Sequence, residues 1–198
     1  MTLGVLASHA GTTLQTLIDA CADGRIGGRI AVVVCNNSGA GAMARAAQAG
    51  IHAVHLSSAT HPDPEALDAA IHDALVSAGV DVVFLAGYMK RIGPRVLAAF
   101  RGRVLNTHPS LLPKFGGRGM YGDRVFEAVL AARETGTGAS VHVVDPEYDT
   151  GPVVAQARVP VQANDDLASL KARVQAREKL LVVETLAAIA DGRLTLPS

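Results

Sequence analysis

No tryptophan occurs among the 198 residues, cysteine occurs only twice, and the eighteen lysines and arginines are cancelled by eighteen aspartates and glutamates. The missing net charge argues against a nucleic-acid partner, because neutralising phosphates takes a clustered excess of basic side chains. No apolar run approaches the roughly 18 to 20 residues of a membrane span, so no membrane association is expected. The opening Met1-Thr-Leu-Gly4 also lacks the basic start of a signal peptide, and a cytoplasmic protein is expected. Cys21 falls inside a helical pattern and Cys35 at the end of an apolar run, without a CxxC, which predicts free structural thiols. A metal is not expected either: His52-x-x-His55 cannot put both rings on one face of a strand, and no cysteine or carboxylate cluster supplies further ligands. With no internal repeat, low-complexity tract or linker, the length predicts one domain over residues 1–198.

What is present is a hydrophobic content of 49% against 18% charged residues, a balance suited to a soluble α/β protein. Leu3–Ala7 reads as a strand, Ser8–Thr13 as a tight loop, and Leu14, Leu17, Ile18 and Cys21 as the apolar stripe of a helix. Arg29–Cys35 is a β-branched run without alternation, as expected of a strand covered on both faces of a parallel sheet. Ala42–Gln48 then reads as a helix, Ile51–Leu56 as a strand, Ser57–Pro64 as a polar loop, and Leu67 to about Gly79 as a second long helix. Val80–Ala86 is the most strand-like run, Gly87–Pro94 its exit loop, and Pro94 the start of a short helix to Phe100. Arg103–Thr107 predicts a fifth strand, Lys114–Gly122 a glycine-dense mobile loop that could close over a ligand, and Asp123–Ala132 a helix. The pattern then changes: Ala139–Val144 and Val153–Val161 read as an antiparallel pair, and Leu167–Asp191 as a long final helix. Alternating strands and helices imply a mostly parallel, twisted α/β sheet with helices on both faces, whose ligands bind beyond the carboxyl ends of the strands. The loops after Ala7, Ala86 and Leu105 are expected on that rim.

The stretch Val104–Pro113 carries the densest chemistry. Asn106 and His108 are two apart, so an extended chain points both side chains to the same side, and the two prolines that follow are expected to hold the exit extended. An amide donor and an imidazole facing one point would serve a developing oxyanion; the same pair would equally serve to tie down a loop. Asp149, on the turn between the two late strands, would be placed to approach the imidazole, holding His108 charged and relaying a proton from a nucleophile. His142, in a strand, is expected to be packed or to lie beside a ligand rather than to be catalytic. Gly11-Thr-Thr13 at a helix start would present N–H groups to a phosphate, though plain N-capping by Thr12 explains it as well.

Asn106-x-His108-Pro-Ser-Leu-Leu-Pro113, with Leu85-Ala-Gly-Tyr-Met89 before it and Asp149-x-Gly-Pro152 after it, resembles the folate-dependent formyltransferases over nearly the whole chain, from Leu6 to Leu194. The resemblance implies a Rossmann-like three-layer fold with antiparallel C-terminal strands and a long C-terminal helix. It also implies transfer of the formyl group of 10-formyltetrahydrofolate to the amine of a 5-phosphoribosyl glycinamide, with no metal. The family's catalytic asparagine, histidine and aspartate match Asn106, His108 and Asp149. Its folate pocket matches Met89, Lys90, Arg91 and Ile92 together with Asp145, Pro146, Glu147 and Tyr148. Its acceptor site matches Gly11, Thr12, Thr13, Gly87, Gln175 and Glu178.

Two departures lie on the phosphate side: His9-Ala-Gly-Thr-Thr13 replaces the usual Gly-x-Gly-Ser-Asn, and Pro64 stands where the family carries an arginine. Arg118 or Lys114 could restore that charge. Formyl transfer to another amine, such as an amino sugar, and a non-catalytic folate- or nucleotide-binding module are the alternatives; a pure binder has no use for the triplet. Relatives that hydrolyse the formyl folate carry a regulatory domain before the catalytic one, whereas here Leu3-Gly-Val opens the sheet. The partners expected are the amine and the folate alone, bound by a monomer or homodimer.

Overall fold

The computed structural model describes residues 1–197. Among these, seven strands and six helices follow in the order β1 (Thr2–Ala7), α1 (Thr12–Ala22), β2 (Arg29–Cys35), α2 (Gly41–Gln48), β3 (His52–His55), α3 (Pro64–Ser77), β4 (Val82–Ala86), α4 (Pro94–Ala99), β5 (Val104–His108), α5 (Asp123–Ala131), β6 (Gly136–Val143), β7 (Val153–Pro160) and α6 (Leu167–Ala190). The strands form one sheet in the order β3-β2-β1-β4-β5-β6-β7. β1 pairs in parallel with β2 and β4, β2 in parallel with β3, and β6 antiparallel with β7.

The chain divides into two compact units. One comprises Met1–Leu105 and the residues from Ala187 on, the other Asn106–Leu186. In the first unit, the unbroken apolar runs of β1, β2 and β4 are buried nearly throughout, as strands covered on both faces must be. The strand order reverses between β1 and β4, so the loops leaving Ala7 and Ala86 flank a topological switch point, where open α/β sheets bind ligands. In the second unit, Phe126 and Val129 of α5, Val159 of β7, and Leu170 and Val174 of α6 form one buried cluster.

Among the departures from the sequence reading, three have a clear physical reason. α3 begins at Pro64 rather than Leu67, because Asp63 caps it by accepting from Glu65 N at 3.2 Å and proline is suited to the first helical position. β6 begins at Gly136 rather than Ala139, with Gly136 and Gly138 paired with Pro160 and Arg158. A side chain at Gly138 would fall on the carbonyl oxygen of Ala157, so the close approach of the two strands requires glycine there. The segment after His108 is bent rather than extended: the Leu112–Pro113 peptide is cis, and Lys114 N bonds Leu111 O at 3.1 Å. Side chains satisfy the backbone of this bend, with Ser140 Oγ donating to Ser110 O and accepting from Leu112 N, and Gln156 Nε2 donating to Leu112 O.

The core account predicts that Phe126→Ala destabilises the protein by about 3 to 5 kcal/mol, the usual result of emptying a buried aromatic site. The half-exposed Leu180, changed to alanine, should shift stability by about 0.5 kcal/mol or less. Denaturant unfolding of both variants measures the difference, and equal midpoints would contradict the assigned core.

Candidate active site

β5 enters the second unit as an apolar strand whose last residues turn polar, delivering Asn106, Thr107 and His108 in succession. The buried His108 ring is held at both nitrogens. Nε2 lies 2.7 Å from the carbonyl oxygen of Phe115, which only accepts, so Nε2 carries the proton. Nδ1 faces the Asp149 carboxylate, with Oδ2 at 3.5 Å. The second histidine, His142 of β6, is 2% exposed at its side chain and makes a parallel set of contacts. Its Nδ1 lies 3.0 Å from Val143 O and its Nε2 lies 3.1 Å from Asn106 Nδ2. The same Nε2 stands 3.5 Å from Asp149 Oδ1.

Asp149 therefore stands against both rings. Its backbone is left-handed, with φ 57°, a conformation aspartate tolerates better than most residues. The turn that holds it is closed by Asp145, whose carboxylate accepts from Glu147 N at 3.0 Å and from Thr150 Oγ1 at 2.9 Å. Asp149 Oδ2 also accepts from Gly117 N at 3.0 Å. The glycine-dense loop expected to move as a whole is thus tied at its start: Phe115 supplies the carbonyl for His108, and Gly117 supplies an N–H to Asp149.

The charge states follow from burial and neighbours. Burial pushes His108 down, and although Asp149 and the Phe115 carbonyl pull it upward, the net direction is below an ordinary histidine. The expectation that Asp149 keeps His108 charged is corrected: in the free protein desolvation wins, and His108 rests neutral with Nδ1 open to a proton. For Asp149 burial alone would raise the pKa, but His142, His108 and the Gly117 N–H outweigh it and leave the carboxylate below its ordinary range. The site at rest is an anion beside a neutral imidazole.

In the first unit, the N-cap of α1 is Gly11, whose φ is 71°, with no side-chain cap, so Thr12 does not cap the helix and is instead its first residue. The loop before it is fixed by α2, through Ala42 N to His9 O at 3.1 Å and Arg45 Nε to Ala10 O at 2.8 Å. Gly87, at φ 71°, turns the chain out of β4, Tyr88 is buried behind it, and Met89, Lys90 and Arg91 are exposed. Lys114, a candidate for phosphate charge, forms an ion pair with Glu134 at 2.7 Å, and Arg118 lies exposed in the glycine-dense loop.

A model of the formyl transferase family matches residues 1–186. The chain belongs to the formyl transferase family. It is 40% identical over 98% of its length to phosphoribosylglycinamide formyltransferase of Haemophilus influenzae, covering 89% of that protein. It is 38% identical over 97% of its length to the chloroplastic phosphoribosylglycinamide formyltransferase of Arabidopsis thaliana, of which it spans 66%. Among solved structures, glycinamide ribonucleotide transformylase 1 from Symbiobacterium toebii superposes with a TM-score of 0.91 at 39% identity, covering 100% of this chain and 91% of that one. The fold is the Rossmann-like α/β fold of these formyl transferases.

On α6 of this formyl transferase, Gln175 is exposed and Glu178 is half-buried, accepting from Thr107 Oγ1 at 3.0 Å. Burial pushes the Glu178 carboxyl above its ordinary range, and the Thr107 hydroxyl only partly offsets this. Sequence reasoning missed Thr107, Phe115, Gly117 and the contacts of His142. The available signal was register: a histidine in a strand of the antiparallel pair whose connecting turn carries Asp149.

The raised Glu178 pKa has a stability consequence. The native state binds its proton more tightly than the unfolded chain, so stability falls as pH rises from the ordinary carboxylate value through the raised one. Glu178→Gln, which keeps an acceptor for Thr107, should therefore gain stability over the parent across that window and hold a constant advantage above it. Thermal midpoints from pH 4 to 8 check this, and a gap that shrinks with rising pH would contradict it.

Proposed function

We propose that this formyl transferase moves the formyl group of 10-formyltetrahydrofolate onto the amine of a 5-phosphoribosyl glycinamide, in the cytoplasm, with residues 1–198 acting as one catalytic domain. The observation that carries the reading is the Asp149 carboxylate standing 3.5 Å from the open Nδ1 of a neutral His108 while Asn106 joins the same network through His142. The names of the relatives support the substrates. The absence, among the described residues, of a helix long and apolar enough to cross a membrane is consistent with the compartment.

The amine nitrogen attacks the formyl carbon, and the carbonyl electrons move onto oxygen. Asn106 donates an amide N–H to that oxyanion, a preorganised dipole of the kind that stabilises tetrahedral intermediates. The proton lost by the nitrogen passes through Asp149 to Nδ1 of His108, whose low resting affinity keeps that position vacant until a negative charge forms beside it. The imidazolium then stabilises the oxyanion, and its proton leaves with N10 of the folate when the C–N bond breaks. The products are the formylated amine and tetrahydrofolate.

Met89, Lys90, Arg91 and Ile92, with Asp145, Pro146, Glu147 and Tyr148, receive the folate. Gly11, Thr12, Thr13, Gly87, Gln175 and Glu178 receive the acceptor, the first-turn N–H groups of α1 serving its phosphate. Pro64 supplies no positive charge and Lys114 is held in an ion pair with Glu134, which leaves Arg118 as the one cation weighed for the phosphate that is not so engaged among the described residues. A different formyl acceptor is accordingly the second reading.

An absorbance assay of folate product with glycinamide ribonucleotide, beside a panel of amino sugars and other amines, should give turnover with the ribonucleotide. Turnover with another amine alone would move the acceptor and leave the chemistry intact. His108→Ala and Asp149→Ala should each lower kcat by roughly 10²-fold or more, the scale of a lost acid–base group. A near-normal rate in either would reject the mechanism.

A further inference from the structure

The loop Gly87–Gly93 carries the four residues assigned to one side of the folate pocket and lies between β4 and α4. A loop whose exposed side chains bind a ligand needs its main chain fixed by something else, or ordering it costs binding energy. Two buried polar side chains, distant in sequence, provide that. Ser8, 3% exposed at the end of β1, accepts from Met89 N at 2.9 Å. Asp68, 7% exposed on α3, accepts from Arg95 N at 2.7 Å and from Val96 N at 3.2 Å. The second contact replaces a missing local cap, since the residue before α4 is Gly93 and no side chain of its own segment caps that helix.

The fit around Asp68 is close enough to constrain its neighbour. A side chain at Gly93 would fall directly on the Asp68 carboxylate, so glycine is the residue that lets the loop's end pass over it. A hydroxyl and a carboxylate buried this deeply are costly unless hydrogen-bonded. Here one is bonded to the backbone inside the ligand-binding loop, at Met89, and the other to the first turn of the helix that follows the loop. Beside these contacts Tyr88 is buried and Met89, Lys90 and Arg91 are exposed.

We infer that Ser8 and Asp68 are positioning residues for the folate co-substrate, Ser8 fixing the Gly87–Gly93 loop at Met89 and Asp68 fixing the start of α4 that follows it, so that the clamped loop keeps the conformation that receives the folate. The inference rests on the assignment of Met89–Ile92 to the folate pocket. Because the backbone that Ser8 holds is that of Met89, a residue assigned to the folate pocket, loss of the clamp should appear chiefly in folate affinity and leave the chemical step and the acceptor nearly untouched.

The test compares Ser8→Ala, Ser8→Thr, Asp68→Asn and, as a probe of the loop itself, Met89→Ala. Three quantities are read on folded protein: KM for 10-formyltetrahydrofolate, Kd for tetrahydrofolate by titration calorimetry, and kcat with KM for glycinamide ribonucleotide. Ser8→Ala and Asp68→Asn should raise the folate KM and Kd by about 10-fold, the scale of one lost hydrogen bond to a buried group. The kcat and the acceptor KM should stay within about twofold, and Ser8→Thr, which keeps the hydroxyl, should recover most of the folate affinity. If Met89→Ala weakens folate binding while Ser8→Ala and Asp68→Asn do not, the clamp is wrong and the pocket assignment stands. Unchanged folate binding in Met89→Ala and in both clamp variants overturns the pocket assignment and the inference with it. Should Asp68→Asn fail to fold, the Ser8 pair decides: a loss that threonine does not rescue, or one spread equally over kcat and acceptor KM, contradicts the clamp.

Discussion

The candidate site depends on one carboxylate, Asp149, held in a left-handed turn and facing two buried imidazoles. A buried anion is costly unless it is hydrogen-bonded, and groups from three separate segments stand against this one. The Gly117 N–H comes from the glycine-dense loop, His108 from the end of β5 and His142 from β6. Each supporting group is itself fixed by a carbonyl: His108 by Phe115 and His142 by Val143. The Phe115 carbonyl holds the His108 proton on Nε2, and so leaves Nδ1 of that ring as the position that can gain one.

The same logic explains why a glycine-dense segment follows the motif. Phe115 is left-handed at φ 55° and Gly117 at φ 93°, and these turns aim a carbonyl and an N–H at the histidine and the aspartate. The loop is part of the electrostatic frame before it is anything else. Glu178 is a further cost of the same kind, a carboxyl whose burial pushes it toward its neutral form and which is held by the hydroxyl of Thr107, the residue between Asn106 and His108. Sites that hold desolvated charges are destabilising in themselves, and the apolar strands and the Phe126 cluster offset them.

Much of the fold was legible because the strands announce themselves. Runs such as Val80–Ala86, stopped by glycine or proline and followed by helical spacing, leave little room for another architecture. Asn106, His108 and Asp149 were legible as a set through the motif, since their types and order are themselves the signal. Three things were not. Backbone partners such as Phe115 O and Gly117 N have no signature in side-chain identity. His142 looked like an ordinary core residue because its significance lies in which strand stands opposite. The direction of the His108 pKa was misjudged because a neighbouring carboxylate can be inferred from sequence, whereas the burial that outweighs it belongs to the folded protein. Thr12 misled for a related reason: a residue well suited to capping lies one position inside a helix that begins at a left-handed glycine.

The central claim is that His108 rests neutral beside an ionised Asp149, with burial prevailing over the carboxylate's attraction. The most direct measurement is an NMR titration of the His108 ring in the free protein and in Asp149→Asn. The account predicts that His108 titrates below the ordinary histidine value of about 6.5, and that removing the carboxylate lowers it further. A value at or above the ordinary one in the parent, or a rise on replacing Asp149, would contradict it.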